Sequence, residues 1–175
     1  MAFTYRKIAS VTVGSGGTAS FDFQNIPNNF TDLVIKISAR GDLASVVTYV
    51  VVEFNGVSTN RSGRLLAGEG SGSPYSASYA SDIFFVVCGA SNTASTFGNA
   101  EIYIPNYAGS ANKSLSIDMV QESNATFGST NLFSGLWSNT AAINRVTISA
   151  ADGSLAKNKL FVQHSTATLY GILQA

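Results

Sequence analysis

The side chains that could do chemistry in this 175-residue chain are few and scattered. Its one histidine, His164, lies in the segment "FVQHSTATLYG". A hydrolytic triad needs such a base to take the proton of its nucleophile. A lone histidine at a strand end or turn is more often a polar surface residue. We therefore predict that His164 is exposed and that the chain has no catalytic triad.

The ten carboxylates give no stronger signal, because they are spread singly along the chain. They are Asp22, Asp32, Asp42, Glu53, Glu69, Asp82, Glu101, Asp118, Glu122 and Asp152. A glycosidase needs two of them about 5–9.5 Å apart. Folding can bring two acids together, but no spacing marks a pair. A glycosidase or depolymerase is therefore the least favoured of three functions, and no catalytic residue is predicted.

Metal and cofactor motifs are absent from the sequence. There is no cysteine pair, histidine cluster or Asp-x-Asn-x-Asp loop, so no metal site is predicted. The glycine-rich stretch "AGEGSGSP" (67–74) lacks the Lys-Ser/Thr ending of a phosphate loop and leads into Pro74. Cys88, in "DIFFVVCG", is predicted to be a small buried hydrophobe, with a reactive thiol as the alternative. We expect no cofactor.

Aromatic side chains offer the one candidate binding chemistry. Sugar rings stack on Trp and Tyr much as nucleobases do, and the candidates are Trp137, Tyr75 and Tyr79. Trp137 follows the run "LFSGL", which favours a place at the edge of the core over a sugar contact. For Tyr75 and Tyr79, contact with a partner or a sugar is weighed equally against a structural role.

Charge and hydropathy exclude several classes of partner. Ten basic and ten acidic residues leave no net charge, so nucleic acid and anionic membranes are not expected partners. With 45% hydrophobic residues the chain folds rather than staying disordered. The start "MAFTYRKIASVTV" lacks the apolar core of a secretory signal, and no segment has the length of a membrane span. We expect the product to stay in the cell that makes it.

Alternation of apolar and polar residues recurs along the chain and predicts an all-β fold. It is clearest at Ile8, Val11 and Val13; at Ala19, Phe21 and Phe23; and at Leu33, Ile35 and Ile37. About nine or ten strands are predicted in one domain, residues 1–175. Short antiparallel strands must protect their edges, which favours a two-sheet β-sandwich, with a jelly roll as the expected topology. The segment at about 57–81 is predicted to be a long loop.

The stretch "SGLWSNTAAINRVTIS" (134–149) is predicted to be a corner followed by a strand. Glycine permits bends, bulges and close backbone approach, so Gly135 and Gly171 are placed at such points. Trp137 would then cover the end of the core. In the strand that follows, Val146 and Ile148 are predicted to point inward.

One segment, "FDFQNIPNNFTDLVIKISAR" (21–40), resembles a phrase common in small structural proteins of tailed bacteriophages, aquatic phages especially. The same proteins tend to carry a Phe-Asn-Gly turn, as at 54–56, and an Ile-Pro-Asn-Tyr-Ala turn, as at 104–108. They also tend to carry a Ser-Gly-Leu-Trp block, as at 134–137, leading to an Ala-Ile-Asn strand, and a terminal Leu-Tyr-Gly-Ile, as at 169–172. These landmarks are turns and strand edges, so the resemblance implies a shared virion β-sandwich and transfers no active site.

The resemblance and the missing catalytic groups lead to two main expectations. The first is a non-enzymatic capsid decoration or cement protein that forms a homo-oligomer, with a trimer expected, and binds the major capsid protein lattice through the 57–81 and N-terminal segments. It would be made in the host cytoplasm and reside in the virion. The alternative is a receptor- or carbohydrate-binding module of a tail or head fibre, which would use Trp137, Tyr75 and Tyr79 to bind a host glycan.

Overall fold

The computed structural model describes residues 4–70, 72–124 and 127–173, and these form twelve β-strands and no helix. The strands are β1 (Thr4–Thr12), β2 (Ser20–Phe23), β3 (Asp32–Ala39), β4 (Val47–Phe54), β5 (Arg61–Gly68), β6 (Tyr75–Tyr79), β7 (Phe84–Cys88), β8 (Gly98–Ile104), β9 (Lys113–Gln121), β10 (Ser129–Trp137), β11 (Val146–Ala151) and β12 (Thr166–Leu173).

The strands form two antiparallel sheets that pack as a sandwich. The larger sheet has eight strands in the order β1-β12-β3-β8-β9-β10-β5-β6, and the smaller has four in the order β2-β11-β4-β7. The predicted all-β antiparallel sandwich is therefore confirmed. The jelly-roll topology is not confirmed, because a jelly roll has eight strands and these two sheets hold twelve. The sequence-based count of nine or ten strands was too low.

The core lies between the inner faces of the two sheets. Along β9 and β10 every second side chain is buried, as the alternating pattern requires. Val146 and Ile148 of β11 point inward as predicted and are fully buried, while Thr147 between them is half-buried. Burial of this apolar surface is the main stabilising contribution, at roughly 25 cal/mol per Å².

The segment predicted as a long loop at about 57–81 is instead mostly a β-hairpin. Strand β5 pairs with β10 on one side and with β6 on the other. The inward positions of β5 are Arg61, Gly63, Leu65 and Ala67. Because only Leu65 is a large apolar residue, the period-two signal that marks the other strands is obscured here.

The predicted corner at Gly135 is also wrong. The register of β10 with both β9 and β5 runs without interruption through Gly135 to Trp137. A Cβ atom at this glycine would lie 3.1 Å from Leu115 side-chain atoms and 3.3 Å from Ile83, so these side chains pack closely against it. The chain leaves the sheet only after Trp137, in the 138–145 loop.

Asn55 holds this loop in place. It forms an Asn-Gly turn with Gly56, in which both residues have positive φ (53° and 71°), as the mirror-image hairpin turns require. Its side-chain amide donates to the carbonyl of Ala142 at 2.8 Å and accepts from the backbone N–H of Asn144 at 2.9 Å. The turn at 54–56 therefore anchors the loop that follows Trp137.

Other segments that carry the phage resemblance also have structural roles. The guanidinium of Arg40 donates to the carbonyls of a single loop, at Ala90, Asn92, Thr93 and Thr96.

The buried Tyr107 hydroxyl donates to the carbonyl of Pro27 and so joins the two Ile-Pro turns. The ring of Phe30 lies against Gly171, where a Cβ atom would come within 2.3 Å of it. Of the bulge, bend or close backbone approach predicted at Gly171, the structure thus shows a ring packed closely on the backbone.

The edges of the larger sheet are protected against pairing with another strand. Edge strand β1 carries Arg6 and Lys7 and has a bulge between Lys7 and Ala9. Edge strand β6 is only five residues long, and Pro74 precedes it. Positive charge, bulges and short length are the usual devices that prevent edge-to-edge association.

Candidate binding cleft

A cleft of about 270 Å³ opens between β6, at the edge of the larger sheet, and the β4–β7 part of the smaller sheet. Side chains from both sheets line it. Its walls are mainly apolar and aromatic, and its polar groups are few. Ligand sites in proteins commonly have this make-up.

One wall of the cleft is a packed group of aromatic rings. Tyr79 and Phe84 meet edge to face, with ring centroids 4.6 Å apart, and Tyr49 lies 6.1 Å from Phe84. Edge-to-face contacts of this kind fix ring orientation. Tyr75 and Tyr79 are four residues apart on β6, so they lie on the same face of that strand. The wall is therefore preorganised by contacts within the protein.

Tyr75 lies at the mouth of the cleft, with 44% of its surface exposed. Its hydroxyl donates to Oε1 of Glu69 at 3.1 Å. Burial, and then the Glu69 hydrogen bond, raise the pKa of Tyr75 above its ordinary value, and burial also raises the pKa of Tyr79. Both side chains are therefore neutral phenols at physiological pH and can donate as well as accept hydrogen bonds.

The inner end of the cleft has a small cluster of buried polar side chains. Ser129 Oγ accepts from the amide of Asn131 at 3.3 Å and from that of Gln121 at 3.4 Å. Ser129 and Asn131 line the cleft, and each is only 6% exposed. Within the described part of the chain, neither Oδ1 of Asn131 nor Oε1 of Gln121 has a hydrogen-bond partner. Buried polar atoms are nearly always paired in proteins, so the cluster has hydrogen-bonding capacity to spare.

The structure separates the three aromatic residues proposed from the sequence. Tyr75 and Tyr79 both line the cleft. Trp137 does not, because its ring is fully buried, 5.5 Å from that of Phe54. Of the two interpretations of Trp137, the structure supports a place in the core, and a sugar contact by its ring is wrong for this fold.

Sequence reasoning missed the partners of the two tyrosines. Tyr49 and Phe84 lie in strands whose apolar runs hide which side chains face the edge of the sandwich. Ser129 and Asn131 did leave a signal, because they are polar at inward positions of β10, where the apolar Phe133 comes next in the alternation. Polar residues in the inward register of a strand indicate either a buried network or a site.

Two of the scattered carboxylates do meet, around Arg61. This buried arginine contacts Asp82 at 3.4 Å and Glu53 at 3.9 Å, and it also donates to the carbonyl of Val52 at 2.9 Å. Lys157 donates to both oxygens of Glu53 at 2.8 Å. The two cations thus hold Glu53 in a structural ion network that joins β4, β5 and the loops beside them.

The other groups considered for chemistry lie apart from the cleft. His164 is exposed in a turn with φ of 72°, as predicted. Cys88 is buried, which confirms the prediction of a buried hydrophobe, and burial raises the pKa of its thiol. Among the residues that the structure describes, no three His, Cys, Asp or Glu side chains are grouped to hold a metal ion. None of the described segments forms a helix able to span a membrane.

No family model, curated protein or solved structure matches this chain.

Proposed function

We propose that this chain is a non-enzymatic structural protein of a phage particle that decorates the capsid. The observation that carries the proposal is a pair of exposed leucines on the outer face of the larger sheet. Leu66 of β5 and Leu132 of β10 are direct cross-strand partners, 53% and 54% exposed. Contiguous exposed apolar surface marks protein interaction sites, and these two side chains adjoin each other on the sheet face.

The surface around the two leucines suits a protein partner. A shallow groove of about 480 Å³ runs beside them. Its rim carries serine hydroxyls, with Arg64 and Asp118 on either side of the leucines. An apolar centre with a polar rim is the usual anatomy of a protein interface. The opposite charges leave this surface without the positive potential that nucleic acid requires.

The protected edges of the sheet support docking through this face. Strand addition needs a free edge of good length, whereas β1 is charged and bulged and β6 is short. The contact segments expected from the sequence fit this arrangement, since Leu66 belongs to the 57–81 segment. In the N-terminal segment, Tyr5 of β1 is 49% exposed. We propose contacts with the major capsid protein lattice and with further copies of the chain, a trimer being the expected oligomer.

A binding experiment tests the docking face. Particles of the phage that encodes the chain, stripped of this protein, are mixed with the recombinant protein and sedimented. We expect the double variant Leu66→Ser/Leu132→Ser to bind about tenfold more weakly or worse, because central apolar contacts carry most interface energy. Leu160→Ser is the matched control, since Leu160 is 39% exposed but lies outside this face.

Location on the particle tests the proposal independently. A Fab raised against the protein should label the head lattice of native virions in electron micrographs. Labelling confined to the tail or fibres would overturn the capsid assignment. Equal binding by the double variant and the control would overturn the leucine pair as the docking face. Sedimentation equilibrium of the free protein measures the oligomer.

The alternative, a receptor- or carbohydrate-binding module of a tail or head fibre, is favoured by one specific observation. Tyr75 and Tyr79, two of the residues proposed for sugar contact, line the cleft together with buried polar groups. Binding of the purified protein to a glycan array would support this function, and Fab labelling of fibres would place it on the particle.

A further inference from the structure

We infer that the cleft between β6 and the β4–β7 part of the smaller sheet binds one ring of a neutral sugar, such as a terminal hexose or N-acetylhexosamine of a glycan. The inference does not rest on the capsid-decoration proposal, because the cleft and the leucine pair use different residues. It gives the carbohydrate-binding alternative a defined site and a ligand class.

The size of the cleft sets the size of the ligand. Clefts for drug-sized molecules have volumes of about 300–1,000 Å³, and this one has about 270 Å³. A single six-membered ring with its substituents fits such a volume. The mouth lies at Tyr75, which is partly exposed, so the rest of a glycan chain can continue into solvent.

The aromatic wall supplies the stacking surface. A pyranose ring has faces of C–H groups that pack on the faces of aromatic side chains, as nucleobases do. Tyr79 is held by its edge-to-face contact with Phe84, and Tyr75 by its hydrogen bond to Glu69. Rings held in this way lose little further freedom when a ligand binds, which favours affinity.

The polar cluster supplies the hydrogen bonds that distinguish a sugar from an apolar ligand. Among the residues that the structure describes, none donates to Oδ1 of Asn131, although this residue is only 6% exposed and lines the cleft. Because this oxygen is buried, we infer that the Asn131 side chain turns toward the ligand, so that a sugar hydroxyl can donate to it and accept from a neighbouring donor. An apolar ligand of the same size would leave the amide unpaired, which is unfavourable.

The charge of the cleft excludes acidic sugars from the class of ligand. Glu69 is the one charged side chain among the described residues that line the cleft, and no lysine, arginine or histidine is among them. A phosphate or an acidic sugar would meet this carboxylate with no cation to offset the repulsion. The hydroxyl groups of a neutral sugar can instead donate to Glu69.

The test is an NMR titration of the full, ¹⁵N-labelled chain with methyl glycosides of glucose, galactose, mannose and N-acetylglucosamine. We expect at least one to cause saturable shifts in the side-chain amide of Asn131 and in the amides of β6. The expected dissociation constant is about 1–10 mM, the range for a ligand of this size. If none of the four gives saturable shifts up to about 100 mM, the inference is overturned.

Matched tyrosine variants give the control. Tyr75 and Tyr103 are both partly exposed tyrosines, 44% and 36%, and each donates to a carboxylate, but Tyr103 lies outside the cleft. We expect Tyr75→Ala to weaken binding about tenfold and Tyr103→Ala to leave it unchanged. Equal affinities in the two variants would overturn the stacking role.

Two further measurements address the polar end and the charge. Asn131→Ala should abolish the saturable shifts in the amides of β6. An unchanged affinity in this variant would show that the Asn131 side chain takes no part in binding. Methyl glucuronide, the acidic counterpart of the glucoside, should bind at least about tenfold more weakly. Equal binding of the acid would overturn the assignment to neutral sugars. None of these variants alters the Leu66 and Leu132 pair, so failure here is distinguishable from failure of capsid docking.

Discussion

Replacing Gly63 with alanine would drive a methyl group into the ring of Phe133. A Cβ atom at Gly63 lies 2.0 Å from Cζ and 2.4 Å from Cε1 of that ring. Carbon atoms in contact are normally about 3.5–4.0 Å apart, so the ring or the strand must move by about 1.5 Å. The glycine at this inward position of β5 is therefore explained by the ring of Phe133 that occupies the space beside it.

The ring has little room to move away. Phe133 is 2% exposed and packs against Phe84, with centroids 5.4 Å apart, and against Tyr79 at 6.1 Å. Overpacking a core costs about 1–3 kcal/mol, and the depth of this overlap points to the upper end. Alanine recovers about 0.5–1 kcal/mol of backbone entropy relative to glycine. We therefore expect Gly63→Ala to lower the free energy of unfolding by about 2 kcal/mol.

Urea unfolding followed by tryptophan fluorescence measures this effect, because Trp137 is the only tryptophan and is fully buried. For a chain of this length the loss corresponds to a fall in Tm of about 4–8 °C. Gly68→Ala is the control on the same strand, since its nearest atom to a new Cβ is 3.8 Å away. It should stay within about 0.5 kcal/mol of the wild type.

A second substitution tests the cause. Phe133→Leu shortens the side chain that the new methyl group meets, so the double variant Gly63→Ala/Phe133→Leu should lose less stability than the sum of the two single losses. If Gly63→Ala proves as stable as Gly68→Ala, the packing explanation for Gly63 is refuted. Additive losses in the double variant would refute Phe133 as the obstacle.

Two further predictions concern charged groups. Arg61→Met should lower the free energy of unfolding by about 3–5 kcal/mol, because it leaves Glu53 buried with one cation fewer. Lys36→Met, which breaks the exposed 2.7 Å pair with Glu101, should lower it by less than about 1 kcal/mol. Similar losses for the two variants in urea unfolding would contradict this reasoning. Hydrogen bonds within its turn lower the pKa of Asp152 from 3.8 to about 2. The contribution of Asp152 to the free energy of unfolding is therefore present above pH 3.8 and is lost as the pH falls toward 2. Between these pH values, the free energy of unfolding should fall more steeply with pH in the wild type than in Asp152→Asn.

The parts of the fold that could be predicted are those with apolar side chains on alternate positions. Strand β3, with Leu33, Ile35 and Ile37 inward, was found in this way. Strand β5 was missed because Arg61 and Gly63 occupy inward positions for reasons that only the three-dimensional structure reveals. One carries the buried ion network, and the other accommodates a ring from β10. A period-two pattern cannot identify an inward position whose space is occupied by a side chain of another strand.

The candidate site was half predictable for a related reason. Tyr75 and Tyr79 were singled out because aromatic side chains in a predicted loop can stack on sugar rings. Asn131 was not, because its significance depends on its buried oxygen having no partner among the described residues, which no sequence pattern shows. Trp137 also has a ring that could stack on a sugar, yet its position at the end of β10 places it in the core.

The cleft itself follows from the unequal size of the two sheets. Eight strands face four, so the smaller sheet cannot cover the whole inner face of the larger one. At the β5–β6 end, the inner face of the larger sheet extends to the edge of the smaller sheet at β7, and the rings of Tyr79 and Phe84 meet there. A further strand in the smaller sheet would close this end and bury the tyrosines. The uncovered end of the larger sheet therefore leaves a space between the two sheets. The aromatic and polar side chains that line this space suit a ligand, whereas a further strand would need apolar side chains to pack against.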